Sequence, residues 1–93
     1  MKAFSPEEIR RAKEDTDLVK LVGEDMELKK AGSAWKGKCP FHSEKHPSFQ
    51  VVPAKKFYHC FGCGAHGDAI RWVMEREGLA FPAAVEKLLK RLG

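Results

Sequence analysis

Apolar positions keep helical spacing at both ends of this 93-residue chain and alternate in between. Ser5-Pro6-Glu7-Glu8 opens a first helix: Ser5 suits the N-cap, Pro6 the first helical position, and Glu8 completes a capping box, with Ile9 and Ala12 facing inward. Asp15-Thr16-Asp17 caps and charges the start of a second helix, Leu18 to Val22, which Gly23 ends. The two aspartates superficially resemble a magnesium-binding pair, but no third catalytic carboxylate accompanies them. Strands follow: Met26 to Ala31, a turn at Ala31-Gly32-Ser33, and Trp35 to Lys38. After a polar loop, Ser43 to Pro47, come Ser48 to Val52, with Phe49 and Val51 on one side, a turn at Pro53-Ala54-Lys55, and Lys56 to His59. Gly62, Gly64 and Gly67 let the backbone curl. Asp68 then caps a third helix, Ala69 to Glu77, with Ile70, Val73 and Met74 inward and Gly78 as its stop. Pro82 starts a last helix whose Val85, Leu88, Leu89 and Leu92 make one apolar stripe, read as core packing ahead of a docking face.

This order gives an α+β fold: one small antiparallel sheet flanked by short helices, in a single domain over residues 1–93. A domain of this size has a limited core, and small folds often rely on a staple. The chain carries three cysteines, an odd number clustered in two short motifs, which argues against a disulfide framework and for a reducing compartment. No stretch approaches the roughly 20 apolar residues of a membrane span, and the expected location is the cytoplasm, with no membrane partner.

The cysteines lie in Cys39-Pro40-Phe41-His42 and Cys60-Phe61-Gly62-Cys63. Two tight knuckles, C-x2-H and C-x2-C, brought together at one end of an antiparallel sheet supply the sulfur and imidazole donors of one tetrahedral Zn2+. Cys39, Cys60 and Cys63 are three of the ligands. His42 has the offset that closes the first knuckle, while His46 and His66 are the alternatives for the fourth position. Four protein ligands leave no place for a water, so the zinc is structural. A deaminase reading draws on Glu44, two residues after His42, but His59 rather than proline precedes Cys60 and breaks that pattern.

Net charge is +4, unevenly spread. Residues 1–27 hold five Lys/Arg against eight Asp/Glu, whereas residues 28–60 hold seven lysines against Glu44 alone. Lysines interleaved with rings suit single-stranded nucleic acid, through phosphate neutralisation and base stacking. The candidate DNA-binding residues are Lys29, Lys30, Trp35, Lys36, Lys45, Lys55, Lys56 and Tyr58; at least half of the rings should be buried, and Trp35 and Tyr58 are the ones to test for exposure.

Cys39-Pro40-Phe41-His42-Ser43-Glu44-Lys45-His46-Pro47-Ser48-Phe49, followed by Phe57-Tyr58-His59-Cys60-Phe61-Gly62-Cys63-Gly64-Ala65-His66-Gly67-Asp68, strongly resembles the N-terminal zinc-binding domain of bacterial DnaG-type DNA primases. Asp17-Leu18-Val19 before Leu28-Lys29-Lys30, and Glu77-Gly78-Leu79-Ala80-Phe81-Pro82-Ala83-Ala84-Val85, resemble that domain's entry and exit. The resemblance implies a zinc ribbon with a structural zinc on Cys39, His42, Cys60 and Cys63. It further implies a role in selecting the single-stranded DNA template where an RNA primer starts in replication. The partners it implies are a primase polymerase domain, in cis or in trans, and the replicative helicase through the full-length protein at the replication fork on the nucleoid. The polymerase and helicase-binding domains, with the nucleotidyltransferase active site of a DNA-directed RNA polymerase, are absent from these residues. The family's basic contacts would carry over to Lys30, Lys45 and Lys55. The sequence departs from the family at His46, where threonine is usual, and at Ser33, where a basic residue is common. The second reading, from another class, is a docking ribbon that binds polymerase or helicase domains rather than DNA.

Overall fold

The structure, a computed structural model, describes residues 3–41 and 47–93. Local chemistry sets its first elements. Helix α1 (Pro6–Glu14) begins with the complete capping box: the Glu8 N–H donates to Ser5 Oγ at 3.2 Å, and the Ser5 N–H donates to Glu8 Oε1 at 3.0 Å. Helix α2 (Leu18–Gly23) is capped by Asp17, whose Oδ1 accepts from the Lys20 N–H at 3.1 Å. Asp15 caps the end of α1 and pairs with Arg11, while Thr16 Oγ1 donates to the Ala12 carbonyl at 2.7 Å. The Asp15-Thr16-Asp17 segment is thus a hinge between two helices, with both aspartates engaged in caps. Gly23 does not stop α2 but lies within it, and Glu24 is the C-cap.

Five strands follow: β1 (Lys29–Ala31), β2 (Ala34–Gly37), β3 (Phe49–Val52), β4 (Phe57–Cys60) and β5 (His66–Gly67). They form one antiparallel sheet in sequential order, β1-β2-β3-β4-β5. The predicted strand Met26 to Ala31 is shorter than its apolar pattern suggests. The Met26 N–H donates to the Val22 carbonyl at 3.1 Å, so residues 24–26 still belong to the exit of α2. Strand β5 was not expected; two residues are too few to show alternation. Helices α3 (Ala69–Glu77) and α4 (Phe81–Leu92) complete the chain. Asp68 caps α3 with a 3.0 Å bond from the Arg71 N–H, and Gly78 ends it at φ 66°, in the left-handed region.

The core lies on one face of the sheet. Phe49 and Val51 of β3, with Tyr58 and Cys60 of β4, point to the helices and are buried. Opposite them stand Ala69, Ile70, Trp72 and Val73 of α3 and Ala84, Val85 and Leu88 of α4, joined by Ala12, Leu18, Leu21 and Val22 from the first two helices. Trp72 is the centre of this packing, although helical periodicity does not single it out. Its ring lies 5.6 Å from Phe41, 5.7 Å from Phe49 and 5.4 Å from Tyr58, centroid to centroid. Of the apolar stripe of α4, Val85 and Leu88 are 0% exposed in this core and Leu89 packs half-buried against it, while Leu92 lies outside it.

Candidate metal centre and the open face of the sheet

Strand register delivers the three cysteines to one place. Gly37 pairs with Phe49 and Phe49 with Cys60, so Cys39, two residues beyond β2, and Cys60, at the end of β4, share one end of the sheet. Gly64, at φ 81°, curls the chain back after Cys63, and its N–H donates to the Cys60 carbonyl at 2.8 Å. The three sulfurs lie within 4.8 Å of one another, and Cys39 Sγ is 3.7 Å from Cys63 Sγ. That spacing is far longer than a disulfide's. It matches two thiolates on one tetrahedral zinc, which at about 2.3 Å from the metal sit roughly 3.8 Å apart.

The two knuckles use the same local device. The Phe41 N–H, two residues on, points at Cys39 Sγ at 3.4 Å. At Cys60 burial pushes the thiol's pKa up, but N–H donors of Cys63 and Gly62 and the Ser48 hydroxyl outweigh it, and the net shift is downward. Burial pushes the Cys39 thiol up to about 12, the Phe41 N–H pulls it back in part, and the neighbouring sulfurs add to the rise. Cys39 therefore holds its proton beside two other sulfurs until a cation joins them, as a site that loads metal with proton release does. His66 is not drawn into this cluster; its Nδ1–H donates to the Gly64 carbonyl at 2.9 Å. His42 and His46, with Glu44 and Lys45, lie outside the described residues.

Register also sorts the candidate DNA-binding residues, because residues directly opposite in a sheet share a face. Lys29 pairs with Lys36, Lys36 with Gln50, Gln50 with His59, and His59 with His66. One side chain from each strand thus forms a single row across the face away from the helices, where Lys29, Lys36 and His66 are exposed. Phe61, 67% exposed, extends it, with its ring 4.5 Å from that of His59. Lys30 and Trp35 pair with each other on the opposite, helix-facing side, where Trp35 packs half-buried against the core. Tyr58, a ring to be tested for exposure, is not a surface ring: it is 1% exposed, because it pairs with Val51 and shares Cys60's inward face. Lys55 and Lys56 sit in the β3–β4 turn at the other end of the sheet from the cysteines. Lys56 Nζ donates to the Glu14 carbonyl at 2.5 Å, binding that turn to the C-terminus of α1. His59 and Phe61, neither of them among the candidate DNA-binding residues, belong to the open face; their parity with Gln50 across the β3–β4 hairpin is the available signal.

Comparison with known proteins agrees with this geometry. The CHC2 zinc finger family, of the DnaG zinc-ribbon type, matches residues 4–93. A DNA primase of Neisseria meningitidis is 56% identical over 78 residues, 84% of this chain and 13% of that protein. A DNA primase of Thermotoga maritima is 49% identical over 87 residues, 94% of this chain and 15% of that protein. The crystal structure of the zinc-binding and RNA polymerase domains of the Aquifex aeolicus primase matches with a TM-score of 0.86 at 38% identity, over 100% of this chain and 22% of that one. The chain thus spans about one seventh of the curated relatives it matches. Donor set and family agree on one structural zinc site, which crosslinks the two knuckles when filled. With its residues matched almost end to end and its three sulfurs in place, this chain belongs to the CHC2 zinc finger family, the zinc-binding domain of DnaG-type DNA primases.

Proposed function

We propose that residues 1–93 act as one domain that holds single-stranded DNA template on the open face of the sheet while a primase polymerase domain, in the same or a neighbouring molecule, makes the primer. The observation that carries this reading is the row Lys29-Lys36-Gln50-His59-His66, one residue from each strand, with Phe61 beside it. Lysines at one end neutralise phosphates, and the rings at the other offer π-faces to unpaired bases. His42 is the fourth zinc ligand in this reading, completing the set with Cys39, Cys60 and Cys63. The zinc does no chemistry; it fixes the ends of β2 and β4, and through them the spacing of the row. Nucleotidyl transfer belongs to the polymerase domain, and the replicative helicase is met through the full-length protein, at the replication fork in the cytoplasm.

The docking reading would use the α4 stripe, of which Val85 and Leu88 are buried in the core. Anisotropy titration of a labelled single strand tests the proposal. Lys36→Ala and Lys29→Ala each weaken binding across all sequences and lower the slope of log K against log salt by about 0.7. Phe61→Ala costs roughly 1–3 kcal/mol in stacking. Unchanged affinity in all three variants would overturn the assignment of this face.

A further inference from the structure

Where the open face ends, at β5, the sheet's edge opens into a recess of about 240 Å³. Its walls are Phe41, Tyr58, Ala65, His66, Arg71 and Glu75. Two features mark it as built rather than incidental. The first is the Tyr58 hydroxyl. Tyr58 is 1% exposed, and its hydroxyl makes no hydrogen bond among the described residues. Buried polar groups are nearly always paired, and an orphan costs about 1–3 kcal/mol. The hydroxyl lies against Gly67, where even a methyl would come within 3.3 Å of it and 2.5 Å of the Arg71 side chain. Only a glycine leaves this corner open. The second feature is continuity. His66 ends the row on the open face and also lines the recess, so a strand crossing the row from Lys29 reaches the mouth at β5.

We infer that the recess takes one unpaired base of the template, held against the Phe41 ring and read by the Tyr58 hydroxyl and the Arg71 guanidinium. This rests on the proposed template face and says where along it a base is distinguished. The volume is below the ~300–1,000 Å³ of sites for drug-sized molecules and admits one flat ring system, not two. The unspent groups are mainly donors: the Tyr58 O–H, and the N–H groups of Arg71 other than the Nε that meets Glu75 at 2.8 Å. A base edge with adjacent acceptors fits them best, and guanine offers O6 and N7 side by side.

The test uses zinc-loaded full chain and labelled thymidine oligonucleotides, with or without one internal dG. Wild type binds the dG-containing strand about 3- to 10-fold more tightly, the worth of one neutral hydrogen bond. Tyr58→Phe keeps the ring packing and removes only the hydroxyl. It brings the ratio of dG-containing to all-thymidine binding close to one. Arg71→Ala, at the exposed mouth, lowers the same ratio. Equal binding of both strands by wild type, or an unaltered ratio in Tyr58→Phe with an unchanged melting temperature, overturns the recess as a base site. Loss of all binding in Lys36→Ala with the ratio intact in Tyr58→Phe would sink the recess and keep the face. Failure of wild type to bind any strand at low salt would instead sink the face itself.

Discussion

Replacing Trp72 with alanine attacks the point where the helices and the metal end of the sheet meet. Trp72 is 1% exposed and touches three rings, Phe41, Phe49 and Tyr58, at 5.4 to 5.7 Å, with the Arg76 guanidinium 5.7 Å from its own ring. Truncating a buried tryptophan costs about 3–5 kcal/mol. Three ring pairs, each worth roughly 0.5–1.5 kcal/mol beyond area, put this site at the upper end, about 4–5 kcal/mol. A domain of 93 residues has in total some 5–14 kcal/mol at ~0.05–0.15 kcal/mol per residue. At ~4–8 °C per kcal/mol, the melting temperature should fall by about 16 °C or more. The consequence extends to the metal. Phe41 is two residues from Cys39, and Phe49 pairs with Cys60, so loosening their shared support should also speed zinc loss to a chromophoric chelator. The assay is a thermal melt in saturating zinc, followed by the chelator time course. A destabilisation under about 1.5 kcal/mol, or zinc release at the wild-type rate, would refute the view that this ring couples the helices to the knuckles.

Stripping the zinc should abolish the cooperative melt, since structural zinc contributes an apparent ~10–16 kcal/mol at neutral pH in small zinc folds, comparable to the whole stability; a chelated chain that melts unchanged would contradict this. Because Cys39 without metal keeps its proton up to about 12, loading must release at least that proton and affinity must rise with pH, which calorimetry in buffers of different ionisation enthalpy measures. Tyr58 is the single tyrosine, so its ultraviolet titration is unambiguous: burial lifts its pKa from 10.0 to about 12, and tyrosinate should appear near 12 in the folded chain and near 10 in denaturant. The sign follows, with the stability linked to Tyr58 intact below pH 10 and declining from there to 12, as the unfolded chain sheds the proton first. Gly37→Ala places a methyl 2.5 Å from Met26 Cε and 2.6 Å from the Glu27 carbonyl oxygen, and should cost about 1–3 kcal/mol in a urea titration by pushing the α2–β1 segment off β2.

Much of this was legible from residue types alone. The caps Ser5, Asp17 and Asp68 and the stop at Gly78 announce themselves through hydrogen bonds made within one turn, so they do not depend on tertiary context. The cysteine knuckles are local in the same sense. Trp72 escaped because α3 is buried on two adjoining stripes. Ile70, Val73 and Met74 form the stripe that periodicity favours, while Ala69, Trp72 and Val73 form a second, turned toward the sheet. A helix held between a sheet and other helices has a wider apolar arc than one stripe describes. The sides of Lys30, Trp35 and Tyr58 depended on strand register, which turn geometry and the core settle together. For Tyr58 the parity was available: a residue two before a buried ligand faces the way the ligand does.

The outermost strand, β1, has all three residues in water and lies at the rim of the sheet. Such a rim is a template on which a second chain can add, and lysine is among the side chains that discourage it. Lys29 and Lys30 therefore guard against self-assembly as well as offering charge. Neutralising them, whether by substitution or by a bound polyanion, removes that guard, and variants at these positions belong on a sizing column before any loss of affinity is credited to a missing phosphate contact.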